Sequence, residues 1–422
     1  MRDTIKTIGK LVFIVFLILL LFSYAMFQGG FVSWFLFYGF LPISVYLIGI
    51  LFYPIKSFRL TRKLSHHVVR AGDKVQVDIT LKRSFPFPLY YCICEEIFPE
   101  SLNKVDNRAE KYQHMEDPSQ LLTTRKIKKI VFAGFKRELH LSYQITEIPR
   151  GEHQLFAIRF RTGDLFGFVK KEHVFSVFND LVAYPNEHQL HITERINSFE
   201  QGAVTTQSLS LKNTNVASGV REYAPGDKFS WIDWKQTARK NTMMTKEFEQ
   251  EKSNDIMQVL DGCYHDNLNV LAFEAAIEIT LSLMEAIRKQ SSQVGFLSIG
   301  EKNTFFPLHH DPMKKELIRQ HLTQIQPGGD QAFAAKLKED SKRLATGAVV
   351  IVITTNLNDL FKETIQSMKQ RTKRIIVCFI QSNKLITEHQ RQLIHQLQFQ
   401  GVIVNVMTEK QLVQNRIGVR VV

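Results

Sequence analysis

Apolar residues crowd the amino terminus. Leu11 to Phe27 runs for seventeen residues without a charge, and after Gln28, Gly29 and Gly30 a second run continues from Phe31 to Tyr53. A helix needs about 20 apolar residues, within a range of roughly 17–25, to cross a hydrocarbon core. The two runs therefore predict a hairpin of transmembrane helices within residues 1–55. A cleaved secretory signal competes for the first run, because Arg2, Lys6 and Lys10 supply a basic flank, but no small-x-small cleavage site precedes the second run. A buried hairpin in a soluble core would have to cover forty almost uncharged residues. Lys56, Arg59, Arg62 and Lys63 follow the second span, while the turn between the spans is uncharged. Basic flanks stay on the cytoplasmic side. The expectation is a two-span protein of the cell membrane with both termini, and the rest of the chain, in the cytosol.

The pattern then changes to a period of two. Val75, Val77, Ile79 and Leu81 alternate with polar residues, as a half-buried strand requires. Leu139 to Tyr143 and Leu155 to Phe160 are shorter runs of the same kind, punctuated by Gly72-Asp73, Arg150-Gly151 and Gly163-Asp164. Residues 56–190 thus predict an all-β, sandwich-like domain. Glu100 to Lys129 is polar and unpatterned and predicts a long mobile loop; Pro185-Asn186 closes the domain.

Beyond Ser253 short apolar runs alternate with helical stretches. The runs are Ile256 to Leu260, Val294 to Ile299, Ala348 to Ile353, Ile375 to Ile380 and Val402 to Val406. Val270, Phe273, Ile277, Leu281, Met284 and Ile287 fall on one face of a long helix. Lys314 to Leu322, Leu357 to Lys369 and Glu388 to Leu397 read as further helices. Continuous apolar strands separated by helices imply a parallel sheet covered on both faces. Residues 254–422 therefore predict an α/β doubly wound domain, with ligands expected at the carboxyl ends of its strands, near Asp261 and Thr354-Thr355-Asn356.

Composition changes this picture little. The 422 residues, at 44% apolar, exclude collagen-like and disordered classes. The net charge is +13, but the basic residues are dispersed among acidic ones, without the clustered stripe that nucleic-acid binding requires. No nucleic-acid partner is expected; basic residues beside the anchor suit an anionic lipid bilayer. Cys92, Cys94, Cys263 and Cys378 are scattered, as expected of reduced packing thiols.

Between the two domains lies a connector, residues 191–253, whose central part reads GVREYAPGDKFSWIDWKQTARKNTMMTKEFE from position 219. Ala224-Pro225-Gly226-Asp227 places Pro then Gly at the centre of a turn, as a type II turn requires. Trp231 and Trp234 lie among Arg221, Glu222, Tyr223, Asp227, Asp233, Lys235 and Arg239, a mixture that recurs in interface hot spots. The strings REYAPGD, IDWKQTAR and KEFE before a strand ending in Asp261 resemble the signature of domain-of-unknown-function family 58 (DUF58). The order of parts is similar too: two spans, a β-rich unit with RGEH and DLFG, then the signature. The resemblance covers nearly the whole chain. It implies a typically bacterial, membrane-anchored protein with a von Willebrand A-like α/β domain, associated with MoxR-type AAA ATPases in a chaperone-like or assembly role. Family members often carry Arg where Ser230 stands, which weakens any family role assigned to that position. The connector residues then have two readings: Arg221, Glu222, Asp227 and Arg239 form ion pairs that dock the connector onto the sheet, or they present a surface to a partner.

Candidate chemistry is sparse. A metal-binding von Willebrand A domain has Asp-x-Ser-x-Ser after its first strand, supplying hard oxygen ligands. Here that stretch is Asp261-Gly262-Cys263-Tyr264-His265, and a thiol and an imidazole suit zinc or copper better. Asp261 is thus a weak metal candidate, and no metal or other cofactor is expected. Ser298 has the wrong spacing for a nucleophile elbow. His188, His191 and Glu194 lack the HExxH order, and no GxxxxGK[ST] is present. His309-His310-Asp311 reads as a polar turn. The leading expectation is a non-enzymatic adaptor that binds a AAA ATPase and an unknown protein client. Against it stand a metal-dependent hydrolase using Asp227, Asp233 and Asp261, and a purely architectural envelope protein.

Overall fold

The structure, a computed structural model, describes residues 2–192, 213–224, 227, 229–250, 255–289, 293–309, 312–414 and 416–420. The chain forms two compact units. One comprises Met1–Lys111 and Asp117–Asn186, the other Tyr112–Glu116 and Glu187–Val422.

The first unit begins with α1 (Arg2–Gln28) and α2 (Phe31–Phe52). Gly29 joins them at φ +62, a left-handed conformation that a β-carbon disfavours. Ile8–Gln28 and Phe31–Phe52 are 21 and 22 residues, long and apolar enough to cross a membrane. Next come β1 (Arg59–Leu64), β2 (Val68–Arg70), β3 (Val75–Lys82), β4 (Tyr91–Ile97), β5 (Lys128–Val131), β6 (Glu138–Ile145), β7 (Gly151–Gly163) and β8 (Lys170–Tyr184). They form a three-stranded sheet, β1-β3-β6, and a five-stranded sheet, β2-β8-β7-β4-β5. The alternation read from Val75 to Leu81 is real: all four apolar side chains are buried. They share one core with Leu141, Phe160 and Leu181, and with Leu47, Ile50 and Leu51 near the end of α2.

Arg62 is not part of a solvated basic flank. Its side chain is fully buried, ion-paired to Glu96, and donates from Nε to Asn179 (2.9 Å) and from Nη2 to the Leu155 carbonyl (2.6 Å). Tyr143 donates its hydroxyl to the other Glu96 oxygen. Removing one partner of such a pair strands a buried charge, at about 3–5 kcal/mol. The stretch from Glu100 also departs from expectation. It is no open loop: three short 3-10 helices, Glu100–Leu102, Arg108–His114 and Pro118–Leu121, order it. Leu102, Leu121 and the Lys111–Asp106 ion pair (2.6 Å) are buried.

The second unit contains β9 (Gln189–Ile192), β10 (Asn213–Glu222), α3 (Trp234–Lys240), β11 (Met244–Gln250), β12 (Ile256–Asp261), α4 (Val270–Lys289), β13 (Val294–Ile299), β14 (Thr304–His309), α5 (Pro312–Gln324), α6 (Phe333–Asp340), β15 (Val349–Thr354), α7 (Asp359–Lys369), β16 (Arg374–Ile380), α8 (Glu388–Phe399), β17 (Ile403–Met407), α9 (Glu409–Leu412) and β18 (Arg416–Val419). Its main sheet has the order β14-β13-β12-β15-β16-β17. Neighbours are parallel except the edge pair β13–β14. Val259, Leu297, Val352 and Val377 pack with α6, α7 and α8 on one face, and α4 lies across the other. The antiparallel edge strand β14 and helix α6 are additions to the elements expected from the sequence. Tyr112 and Met115 are buried in this unit. The Tyr112 hydroxyl donates to Glu278 on α4, and His188 Nε2 lies 2.7 Å from the same carboxylate.

Candidate functional site

The chain leaves β12 toward β13 on one side and later builds β15, β16 and β17 on the other. Connections after β12 and β15 therefore diverge, opening a crevice at the carboxyl ends of these strands. A cavity of about 480 Å³ occupies it, lined among others by Asp261, Cys263, His265, Asp330, Asn356 and Asn358. The residues expected at the strand ends thus meet, although their chemistry is not that of an open ligand set.

Asp261 is 3% exposed. Its Oδ2 accepts from the Thr354 hydroxyl at 2.6 Å and its Oδ1 from the Cys263 amide at 3.0 Å. Burial outweighs these two bonds and pushes its acid up to about 7. Burial also pushes the Cys263 thiol up to about 11 and holds His265 below the usual imidazole range. Asp261, Cys263 and His265 are thus all biased toward their neutral forms. The Cys263 thiol faces the Ile299 carbonyl at 3.7 Å, and His265 Nε2 lies 3.3 Å from Thr355 Oγ1. The floor is closed by the turn at Gly328-Gly329: the Gly328 amide donates to the Gly262 carbonyl (3.0 Å). Gly329 sits at φ +95, where a β-carbon would also approach the Gly300 carbonyl at 3.1 Å. The sequence signal for this wall was Pro327-Gly328-Gly329, a turn marker that carries no chemistry by itself.

A hard divalent cation does not fit these residues. Both Asp261 oxygens are already taken by donors, and the positions that would offer hydroxyl ligands hold a buried thiol and an imidazole. Among the described residues, no group of three or more His, Cys, Asp and Glu side chains is arranged to hold a metal ion. Ser298 is buried within β13 rather than raised on a turn. Glu194, His310 and Asp311 lie outside the described residues.

The connector forms a second site. β10 and β11 pair as an antiparallel hairpin, with Glu222 opposite Met244 and Arg221 opposite Thr245. Its long tip turns at Ala224, where the Asp227 amide donates to the Ala224 carbonyl (3.1 Å); Pro225 and Gly226, the expected centre of this turn, lie outside the described residues. Arg221 grips Asp227 with both terminal guanidinium nitrogens, Nη1 to Oδ2 at 2.8 Å and Nη2 to Oδ1 at 2.6 Å. Asp227 also accepts from the Ala224 amide at 2.9 Å. The Arg221 bonds, joined by that amide, hold the Asp227 carboxyl below its usual range. Asp233 caps α3, its Oδ1 accepting from the Lys235 and Gln236 amides, both at 3.1 Å. Ile232 and Met244 are buried beneath the tip and Trp231 is half-buried.

What remains faces solvent. Trp234 is 63% exposed, and Phe229, Glu222, Lys235 and Arg239 are also exposed. Tyr223 is half-buried, its ring 6.3 Å from that of Phe229. Among the described residues neither Glu222 nor Arg239 forms an ion pair. Phe229 is legible in the sequence as one of the aromatic residues among the connector's charges, but not as a site residue, since only its exposure sets it apart from the buried Ile232.

The family described as "Protein of unknown function DUF58" matches residues 219–394. Over 313 residues the chain is 34% identical to the "Uncharacterized protein YeaD" of Bacillus subtilis (strain 168), covering 74% of each. Among solved structures it is similar to the PilB minor pilin of Streptococcus sanguinis, at 8% identity and a TM-score of 0.28, over 77% of this chain and 85% of that one. It is also similar to the CARDB domain of a Pyrococcus furiosus protein, at 12% identity and a TM-score of 0.19, over 30% of this chain and 87% of that one.

Proposed function

Because the chain belongs to the DUF58 family, we propose that it is a membrane-anchored, cytosol-facing adaptor that binds a MoxR-type AAA ATPase and client proteins in a chaperone-like assembly role. In this reading α1 and α2 span the cell membrane with both termini cytoplasmic. The six-stranded sheet is a von Willebrand A-like body whose metal position has been given up, and the chain performs no catalysis of its own.

One observation carries the reading. The connector tip is a formed surface, its turn fixed by the Arg221–Asp227 fork and its helix by Asp233, and it leaves Trp234 and Phe229 outside. Exposed aromatic residues on a pre-organised frame are what partner hot spots are made of. The hydrolase alternative draws on Asp227, Asp233 and Asp261, yet each carboxylate is occupied by a structural partner. Purification of the full chain from native membranes in mild detergent, read by mass spectrometry, tests the proposal. An AAA ATPase retained with the wild type and lost with Trp234→Ala is expected. No ATPase, together with metal-stimulated turnover abolished by Asp261→Ala, would replace the adaptor by the hydrolase.

A further inference from the structure

We propose that three loops at one end of the first unit's sheets form an aromatic collar seated in the headgroup–acyl boundary of an anionic phospholipid bilayer, at the base of the α1–α2 hairpin. The inference rests on the membrane-spanning reading of that hairpin.

The register places the loops together. Lys82 pairs with Glu138, Cys92 with Val131 and Tyr91 with Gly163. The β3–β4, β5–β6 and β7–β8 connections therefore emerge at the same end. Arg59 pairs with Lys82, so the chain coming from α2 enters β1 there too. These loops carry Phe85, Phe132, Phe135, Leu165, Phe166 and Phe168, all exposed. At the opposite end, among the described residues, the β6–β7 connection (146–150) exposes no large apolar side chain, and its Ile148 is buried. A contiguous apolar surface of this kind marks an interaction site.

The rings are held outward by hydrogen bonds. Arg83 donates to the carbonyls of Lys136 (2.8 Å from Nε), Phe87 (2.9 Å) and Gly134 (3.1 Å). Leu89 and Gly134 exchange backbone bonds at 3.3 and 3.0 Å. Asp164 accepts from the amides of Phe166 (2.9 Å), Phe168 (3.2 Å) and Val169 (2.6 Å).

Two further features name the occupant. The collar is continuous with the helices: Lys171 Nζ donates to the Leu51 (2.8 Å) and Tyr53 (2.6 Å) carbonyls that end α2. Phe168 lies 6.4 Å from Phe13 on α1, and Phe87 stacks on Tyr53 at 5.1 Å. A bilayer that surrounds Phe13 and Phe52 must meet the collar at the level of its headgroups. The charge is complementary as well. Lys136, Arg137 and Lys170 are exposed, while the loops' one carboxylate, Asp164, is buried against its own amides. Lysine and arginine stems can lie along such rings while their heads reach lipid phosphates.

The native cysteines are all buried, so an introduced thiol can be labelled selectively. The full chain, reconstituted in vesicles of phosphatidylethanolamine and phosphatidylglycerol, is labelled with bimane in Phe135→Cys, Phe166→Cys, Leu20→Cys on α1 and Lys104→Cys beyond β4. Lipids with a nitroxide near the headgroup should quench both collar positions at least about twofold more than position 104, as residues at an interfacial depth of ~5–10 Å require. Position 20 should be quenched by a deep nitroxide. Collar labels no more quenched than position 104, with position 20 quenched, would overturn the collar, leave the anchor, and return the patch to a protein partner. An unquenched position 20 would overturn both.

Discussion

Two aspartates in the second unit show how differently one side chain can be used. Asp261 is sealed at the end of β12, bonded to Thr354 and the Cys263 amide, and burial pushes its acid up to about 7. Asp227 stands at the hairpin tip, where the Arg221 fork holds its carboxyl low. The first is costly to ionise and closes a crevice. The second is charged and keeps a surface in shape. A sequence motif that contains an aspartate therefore does not announce chemistry; the neighbours decide whether it is a wall, a clamp or a ligand.

The contrast can be broken at several points. The largest effect should come from pH. Because the folded acid of Asp261 titrates above its unfolded counterpart, its contribution to stability is complete below about pH 4 and is lost as pH rises through about 7. Urea unfolding of the full chain in detergent should show a loss of order 2–4 kcal/mol from this site between pH 4 and 8, and Asp261→Asn should remove that slope. Next, Thr354→Val leaves one Asp261 oxygen without its donor. It should cost about 1–3 kcal/mol by urea melts and move the pH transition upward. At the tip, Arg221→Ala removes a solvent-screened pair; the urea midpoint should hardly move, while the Asp227 carboxyl, followed by NMR, should titrate higher. Smallest of all, Glu222→Gln and Arg239→Gln should leave unfolding unchanged, and any effect should appear only in partner retention.

How much of this was legible in the sequence depends on which forces placed each residue. The helix from Phe31 to Phe52 and the strands at Ile256, Val294, Val349 and Arg374 follow from local apolar pattern, which is why their bounds fall within a residue or two of the apolar runs, whereas α1 begins at Arg2, well before its run at Leu11. β14 was missed because Thr304 to His309 is an edge strand, whose outer side makes no demand for a continuous apolar run. The segment from Glu100 to Leu121 failed for a different reason. It is ordered by partners outside the segment: Arg125 holds the Leu102 carbonyl at 2.6 Å, and the buried Tyr112 reaches Glu278. Arg62 misled in the same way, since a basic residue after an apolar span reads as a solvated flank until Glu96 appears beside it. At the candidate sites the residue types and the strand-end position of Asp261 were readable. The burial that pushes its acid up, and the exposure of Phe229, depend on packing that no local pattern encodes.

The most direct test of the adaptor reading is a photocrosslinking amino acid placed at position 234 of the full chain in living cells, with Phe399, 95% exposed on α8, as the comparison position. The account predicts an adduct with a AAA ATPase at position 234 and none at 399. An adduct absent from position 234, or equal at both positions, would contradict it.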